Sequence, residues 1–385
     1  MRVGEVKSDI SFRAKNVTLY SDFDGTFLQT YSDGNYYKAL DDFRNERNGK
    51  FKFFITTGRT LEVPRGKGFL NEYTKLRAQH TRFPRMEGVI TGNGGDVFSI
   101  SKNGDVDRSP MLDKRFAVEE RTGWNIDRVK QGIQDISERL QVPIQLDNKK
   151  GFHRLNLYVL DDQHVENFCT EVEKYFSANN INAEAKITTK DGNPVIKTAP
   201  LISGRRIHKD FDVKQALNMA IKENDFVVVA GNAKNDRELL NLFNYIGQPS
   251  IDKVEKIPTK GLPDMIEQIR KLPVGVIYVN SASGDSNKML ELRAFMEEQK
   301  KLFPEKVMII EESKKGENNF VEACRNLVDN HFGKEIKATM SQAKEVQYKG
   351  QNWKATFAVL GALLLANIGI YTLQYAKILS HNKKD

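Results

Sequence analysis

Two aspartates separated by one residue follow a short apolar run in the first part of the chain. Residues 17–20 have the composition of a buried strand, and Asp22, Asp24, Gly25 and Thr26 come next. An open α/β sheet carries its chemistry beyond the carboxyl ends of its strands. One carboxylate there can attack phosphorus while the other gives and takes a proton, and a hard divalent cation can screen their charges. The alternative is an ordinary strand-ending turn, because Asp and Gly are common turn residues.

A second apolar run also ends in polar residues. Residues 51–55 lead into Thr57, Gly58 and Arg59, which supply a hydroxyl, backbone amides and a guanidinium. These groups can hold phosphate oxygens, and the alternative is a strand followed by a plain helix cap.

A third apolar run, residues 226–230, leads into Asn232 and, four residues later, Asp236. That spacing suits a metal site completed from a neighbouring loop. Upstream of it, Lys214 lies in the first turns of an expected helix and can offer a point charge to phosphate. Lys209 is the alternative lysine, since its spacing to the third run is also suitable.

In this order, the segments resemble the motifs of the haloacid dehalogenase (HAD) superfamily of phosphatases. The matching segments are residues 22–26, 55–59 and 231–236 and the surroundings of Lys214. Asn93 and Gly94 also resemble an Asn-Gly signature of the branch that includes sugar-phosphate and sucrose-phosphate phosphatases. The resemblance covers roughly residues 15–270. It implies an α/β fold: a doubly wound, Rossmann-like core with an inserted α+β cap domain.

The resemblance also implies a role for each matching residue. Asp22 attacks the phosphoryl group and becomes an aspartyl-phosphate, and Asp24 protonates the leaving oxygen and then activates water. Thr57 and Lys214 stabilise the phosphoryl oxygens. The implied substrate-binding residues are Gly25, Thr26, Gly58, Arg59, Asn93 and Gly94. The implied ligands of Mg²⁺ are Asp22, Asp24 through its main-chain carbonyl, Asp236 and Asn232.

The sequence departs from the family pattern at Asn232, where the family usually has Asp. Loss of one negative charge should weaken metal binding. The expected function is hydrolysis of a small phosphorylated metabolite, such as a sugar phosphate. The alternatives are a catalytically weakened fold that serves as a membrane-tethered binding module, and a phosphomutase. Lys214 is preferred to Lys209 because the residues after Lys214 fit the helix that normally carries the lysine.

The elements predict several domains. The core is expected in residues 1–110 and 204–272, and the cap in residues 111–203. A βαβα extension follows at residues 273–333, with its last helix ending at Gly333. The segments expected beyond it are a linker at 334–354, a transmembrane helix at 355–375 and a short basic tail at 376–385.

Composition limits the classes of partner. The 385-residue chain has a formal net charge of +8, which suits anionic phosphate substrates or an anionic membrane surface. No basic run is interleaved with aromatic residues, so we expect no nucleic-acid partner. Two cysteines are too few for a disulfide framework and favour a reducing compartment. Residues 1–16 lack the apolar stretch of a secretory signal.

Residues 355–375 carry no charge, and Lys354 and Lys377 flank them. A helix of this length reaches about 30 Å, enough to cross a bilayer. The pattern predicts a single-pass C-terminal (tail) anchor that leaves the catalytic domain in the cytosol. Small residues at every fourth position could also support a weak homodimer within the membrane; they are Ala358, Ala362 and Ala366.

Overall fold

The computed structural model describes residues 16–29, 32–47, 50–62, 68–92, 94, 96–108, 112–146, 152–190, 192–202, 205–223, 225–246, 261–280 and 287–348. Asn93 and the predicted transmembrane segment 355–375 lie outside these residues. The chain divides into two compact units, residues 1–328 and 329–385, and the elements that carry the predicted site all belong to the first.

A seven-stranded sheet forms the core of the first unit. Its spatial order is β12-β11-β10-β1-β2-β3-β4, with parallel pairing throughout except for the last pair. Its strands are β1 (Val17–Asp22), β2 (Phe51–Thr56), β3 (Gly88–Thr91), β4 (Asp96–Ser99), β10 (Phe226–Gly231), β11 (Val274–Asn280) and β12 (Val307–Glu311). The predicted doubly wound α/β core is confirmed. Both strands of the predicted extension, β11 and β12, continue this same sheet.

The strand order reverses direction between β1 and β10. From β1 the chain proceeds to β2 and β3 on one side, whereas β10, β11 and β12 proceed outward on the other. Val17 pairs with Phe226 and Ser21 with Ala230, so the two strands end side by side. A ligand crevice forms at such a switch point because the flanking connections leave on opposite sides.

The central strands are apolar because both faces of a parallel sheet are covered. All six residues of β10 are buried, and five of the six in β1 are. The described α-helices that lie wholly within this unit and outside the cap are α1 (Gly34–Glu46), α2 (Phe69–Gln79), α6 (Asp210–Glu223), α7 (Arg237–Leu240), α8 (Leu262–Lys271) and α9 (Asn287–Leu302).

The cap has its own antiparallel sheet and hydrophobic core. Its strand order is β5-β6-β8-β7, and β9 pairs with β8. The strands are β5 (Ile144–Leu146), β6 (Leu155–Val159), β7 (Ala183–Lys190), β8 (Asn193–Ile202) and β9 (Arg205–Arg206). The helices between β4 and β7 are α3 (Leu112–Thr122), α4 (Ile126–Leu140) and α5 (Val165–Ala178). In α4, Asn125 caps the first turn and the apolar spacing buries Val129 and Ile133 against α5 and the sheet.

The last described helix corrects one sequence prediction. α10 runs over Asn319–Tyr348 and passes through Gly333, where we expected it to end. A glycine inside a helix costs only about 1 kcal/mol relative to alanine. The residues after it, including Lys334, Glu335 and Ala338, favour helix and offset that cost. Most of the predicted linker is therefore helical. Among the described residues, no helix is long and apolar enough to cross a membrane.

Aromatic packing anchors the loop after β1. Phe23 and Phe27, on either side of the turn, are both fully buried. Phe23 contacts Phe69 edge-on with ring centroids 5.1 Å apart, and Phe27 lies 5.4 Å from Phe53 of β2. Each such pair contributes about 0.5–1.5 kcal/mol beyond its buried area. The short loop that carries Asp24 is thus fixed at both ends.

Candidate active site

Two carboxylates and one lysine meet at the switch point. Asp22 is the last residue of β1, and Asp236 lies five residues after the end of β10. The Nζ atom of Lys209 donates a 2.6 Å hydrogen bond to Oδ1 of Asp22 and another of 2.6 Å to Oδ1 of Asp236. All three residues are buried, Lys209 and Asp236 completely. We call these three residues the catalytic cluster.

The charges of the catalytic cluster do not cancel. Burial and the charge of Asp236 raise the pKa of Asp22 to about 7, although Lys209 acts in the opposite direction. Burial alone would lower the pKa of Lys209, but Asp236 and Asp22 raise it above its usual value. One lysine faces two carboxylates, so the ionised cluster keeps one unit of negative charge. That charge is suited to attract a cation.

The position of Lys209 corrects the preference for Lys214. Lys209 precedes α6, in the short segment that returns from the cap, whereas Lys214 lies one turn inside the helix. Lys214 instead pairs with Asp210, four residues earlier on α6, at 2.9 Å, and a third of its side chain is exposed. The helix was correctly predicted, but the lysine that reaches the site comes from the segment before it.

Asp236 is fully engaged by protein groups. Its Oδ1 accepts from Lys209, and its Oδ2 accepts from the backbone amides of Asn232 and Ala233 at 3.1 and 3.0 Å. These bonds close the turn after β10 and orient the lysine. The role of Asp236 as a metal ligand stays a prediction, and in this structure its two oxygens position Lys209 and the turn after β10.

Asn232 lies directly against the loop after β1. Its Oδ1 accepts a 3.2 Å hydrogen bond from the hydroxyl of Thr26. A Cβ placed on Gly25, whose φ is +74°, would lie 2.1 Å from Nδ2 of Asn232. Only glycine allows both that φ and that close approach. Gly25 and Thr26, predicted to bind substrate, thus hold Asn232 in this structure.

Asp24 and Arg59, predicted as proton donor and substrate ligand, pair with each other. Nε of Arg59 donates to Oδ2 of Asp24 at 2.8 Å, and a terminal nitrogen of Arg59 donates to the other oxygen. The guanidinium also lies over the ring of Phe23, 5.3 Å from its centroid. Half of the Asp24 side chain is exposed, so this fork orients the carboxylate at the mouth of the crevice.

Thr57 and Gly94 support the site from the β2 and β3 side. The Thr57 hydroxyl accepts from the amide of Arg59 at 3.1 Å, and Gly58 is exposed at the turn between them. Gly94 has φ +100°, and a Cβ there would lie 2.4 Å from the carbonyl oxygen of His208. Gly94 therefore packs against the segment that carries Lys209. Its predicted partner in binding, Asn93, lies outside the described residues.

Sequence reasoning missed Asp96. This buried residue opens β4, and its Oδ1 accepts a 3.1 Å hydrogen bond from the backbone amide of Phe152 in the cap. The available signal was an acidic residue placed between the glycines at 94 and 95 and an apolar strand. Its role is to connect the cap to the core sheet next to Gly94.

The oxygen atoms of the site suit a hard divalent cation. Among the described residues, no group of three or more His, Cys, Asp or Glu side chains is arranged to hold a metal. One or two carboxylates with substrate and water are a common Mg²⁺ environment, however. The predicted donors of this kind are the Asp22 carboxylate, the main-chain carbonyl of Asp24 and the side-chain oxygen of Asn232, which accepts from Thr26 in this structure.

Comparison with known proteins gives a family match. A family model described as "Sucrose-6F-phosphate phosphohydrolase" matches residues 15–247. No curated protein matches the chain.

Several solved structures are similar in fold. A haloacid dehalogenase-like hydrolase, yhjK, from Bacillus subtilis is 12% identical, with 82% of this chain and 91% of that chain covered and a TM-score of 0.42. The HAD phosphatase BT1666 from Bacteroides thetaiotaomicron is 16% identical, with 76% and 98% covered and a TM-score of 0.30. A C-terminally truncated IMP-nucleotidase from Plasmodium falciparum is 10% identical, with 74% and 72% covered and a TM-score of 0.32.

Proposed function

Because the chain belongs to the sucrose-6F-phosphate phosphohydrolase family, we propose that it is a Mg²⁺-dependent phosphatase of a small phosphorylated metabolite, such as a sugar phosphate. Membership makes it a phosphoric monoester hydrolase of the HAD superfamily. The observation that supports this site most strongly is Lys209, which bridges Asp22 and Asp236 at the switch point.

In the proposed reaction, an oxygen of Asp22 attacks phosphorus while the bond to the leaving oxygen breaks. Asp24, half-exposed at the mouth of the crevice, gives its proton to that oxygen. Water then attacks the aspartyl-phosphate, Asp24 takes a proton from it, and phosphate leaves with Asp22 restored. Arg59 must share Asp24 with the substrate, since the two side chains form a fork before anything binds.

Lys209 and Thr57 supply the electrostatic part of the mechanism. Lys209 is fully buried and already aimed at Asp22, so it needs no reorganisation when charge builds on the phosphoryl oxygens. Mg²⁺, held by Asp22, the Asp24 carbonyl and Asn232, would neutralise phosphate charge and orient the group. These three residues are assigned to the metal because each offers an oxygen donor, as described for the candidate site.

A phosphate-release assay over a panel of phosphorylated sugars tests the proposal. We expect the full chain to release phosphate with Mg²⁺ and to stop when EDTA is added. Asp22→Asn should lower the rate by a factor of about 10³ or more, because an amide is not a nucleophile here. Acid quench of Asp24→Asn should reveal phosphoenzyme. A folded Asp22→Asn protein with nearly full activity would contradict the mechanism.

We also propose that residues 355–375 tether the protein to a membrane and that the catalytic domain faces the cytosol. The support is the uncharged length of this segment and its lysine flanks. Cys169 and Cys324 are buried and free in this structure. Association of two copies through the small-residue ridge of this segment stays a prediction.

Carbonate extraction tests the tether. The full chain should stay with the membrane pellet, whereas Leu364→Arg should release a larger fraction because a central arginine costs about 2.5–3.5 kcal/mol of insertion. Leu364→Ala is the matched control. Protease added to intact membranes should digest the catalytic domain. Complete extraction of the unmodified chain, or protection of that domain, would contradict the proposal.

A further inference from the structure

A second cluster of charged side chains lies where the cap meets the core. Arg154 enters β6 of the cap, Arg206 ends β9, and His208 lies between β9 and α6. We call these three residues the junction cluster. Each belongs to a segment that leads directly into an element of the cap or of the core.

Three contacts hold the junction cluster. A terminal nitrogen of Arg154 lies 3.5 Å from the carbonyl oxygen of Ile207. Nε of Arg206 donates to a carboxylate oxygen of Glu184 on β7. Nδ1 of His208 lies 3.7 Å from a carboxylate oxygen of Glu238, outside hydrogen-bond distance.

The junction cluster has hydrogen-bonding capacity left over. A terminal nitrogen of Arg206 and Nδ1 of His208 are buried and, within the described part of the chain, have no hydrogen-bond partner. Leaving a buried polar nitrogen without a partner costs about 1–3 kcal/mol. An acceptor supplied from outside the protein would recover that cost.

The guanidinium groups of Arg154 and Arg206 also repel each other. Burial and the charge of Arg206 lower the pKa of Arg154, and the opposing effect of Glu238 is smaller than that of Arg206. Glu184 pairs with Arg206 but not with Arg154, so a bound anion that contacts both guanidinium groups would reduce the remaining repulsion. The same arrangement disfavours a neutral ligand group, which would leave the repulsion in place.

The junction cluster is next to the catalytic cluster. Ile207, which Arg154 contacts, is two residues from Lys209, and Glu238 is two residues from Asp236. Two residues of extended chain span at most about 7 Å. The backbone segments that carry the two clusters therefore adjoin at two points, after β9 and after β10.

On the basis of the proposed function, we propose that the junction cluster binds a second oxyanion of the substrate, so that the preferred substrate carries a phosphate or carboxylate on its leaving group. The terminal nitrogens of Arg154 and Arg206 donate to its oxygens. Nδ1 of His208 is a further donor when it carries a proton, in the charged imidazole or in the neutral tautomer protonated at Nδ1. A substrate with only one phosphate occupies the catalytic cluster and leaves the junction cluster unfilled.

Three probes separate the two sources of the second oxyanion. These are glucose 1,6-bisphosphate, 6-phosphogluconate and glucose 6-phosphate, with p-nitrophenyl phosphate as a reference. The two doubly anionic probes are glucose 1,6-bisphosphate and 6-phosphogluconate. For the full chain, kcat/KM on at least one of them should exceed that on glucose 6-phosphate by about 10-fold, which is the gain expected from one additional charged hydrogen bond. The better probe identifies phosphate or carboxylate. No preference for either would overturn the inference.

Arg154→Gln tests the site itself. The ratio of kcat/KM on the preferred doubly anionic probe to that on p-nitrophenyl phosphate should fall about 10-fold, mainly through KM. Arg154→Lys, which keeps the charge, should retain part of the ratio. Arg139→Gln is the matched control: this cap arginine is exposed, pairs with Glu171 and should keep the full ratio. An unchanged ratio in Arg154→Gln would overturn the inference.

A binding measurement separates this inference from the proposed function. In calorimetry with Asp22→Asn, glucose 1,6-bisphosphate or 6-phosphogluconate should bind about 10-fold more tightly than glucose 6-phosphate, and Arg154→Gln should remove the difference. Equal binding of all three would overturn the junction site alone. Absence of Asp22-dependent hydrolysis of any probe would instead overturn the proposed function.

Discussion

The catalytic cluster and the junction cluster are both built from buried or half-buried charges, yet they differ in how those charges are satisfied. Lys209 donates hydrogen bonds to both Asp22 and Asp236. Both carboxylate oxygens of Asp236 accept hydrogen bonds, one from Lys209 and the other from two backbone amides. At the junction, Arg206 and His208 each retain a buried nitrogen with no hydrogen-bond partner among the described residues.

This difference indicates that the catalytic cluster is already arranged by protein groups, whereas the junction cluster has hydrogen-bonding capacity left for a ligand. In the proposed reaction, Lys209 needs no rearrangement, because Asp236 already holds it against Asp22. At the junction, by contrast, one terminal nitrogen of Arg206 and Nδ1 of His208 still lack an acceptor among the described residues, and a ligand can supply it. The two clusters therefore have different parts in the proposed function: orientation of Lys209 in the first, and recognition of the leaving group in the second.

Lys209→Met should produce the largest effect, because it removes the cation on which the catalytic cluster depends. We expect kcat to fall by a factor of about 10³, as for loss of a preorganised transition-state donor. Lys214→Met should change kcat by no more than about twofold, since exposed ion pairs contribute little. Steady-state kinetics with circular dichroism distinguishes the two. A larger loss in Lys214→Met than in Lys209→Met would reverse the assignment made here.

Gly94→Ala should disturb both clusters, since a Cβ at Gly94 would lie 2.4 Å from the His208 carbonyl, between Lys209 and the junction. We expect a loss of roughly 2–4 kcal/mol in stability and a lower kcat. Gly92→Ala is the control: its φ is also positive, but a Cβ there meets nothing within 4 Å. It should cost only about 1 kcal/mol. Denaturant melts that show equal losses would mean that the contact is unimportant.

Asp22→Asn should reveal the uncompensated negative charge through pH. In the folded protein the pKa of Asp22 is raised to about 7, so protonation of Asp22 stabilises the fold. This contribution to the free energy of unfolding is fully present below the pKa that Asp22 has in the unfolded chain, and it is lost as the pH rises through about 7. Asn does not titrate. The melting temperature of the variant minus that of the parent, measured in EDTA, should therefore increase by a few degrees between pH 5 and pH 8. A difference that shrinks over this range would contradict the cause given for the shift.

Asn232→Asp should have the smallest effect. An added carboxylate beside Asp22 should lower the Mg²⁺ concentration that gives half-maximal activity by about threefold to tenfold. A Mg²⁺ titration of phosphate release measures this. If the requirement is unchanged, the bond from Thr26 and the contact with Gly25 are the main role of Asn232. If the parent is inactive and the variant active, the binding-module alternative gains.

The sequence predicted the catalytic edge well because topology does most of the positioning. Once β1 and β10 are recognised as parallel neighbours, Asp22 and Asp236 must end at the same edge. The choice between Lys209 and Lys214 depended on where α6 begins relative to that edge, which spacing along the chain does not determine. The pairing of Asp24 with Arg59 was also not predicted from the sequence, because each residue taken alone suits a role toward the substrate.

Other elements were harder to predict for reasons that differ. Gly333 is a common stop signal, but its cost was outweighed by the helix-forming residues around it. The junction cluster was not predicted, because Arg154 and Arg206 are brought together only when the cap returns to the core.

That return crossing has a consequence for engineering the protein. Between β9 and α6 the chain has only three residues, 207–209, and the last of them is the lysine of the catalytic cluster. Exchanging the whole cap up to α6, in order to change the substrate specificity, would also remove Lys209. A chimera should instead keep Ile207, His208 and Lys209, with Gly94 packed against this segment, as part of the recipient, and place its splice between Arg206 and Ile207. The point at which the two modules can be exchanged therefore lies at the end of the cap's last strand, three residues before α6 begins.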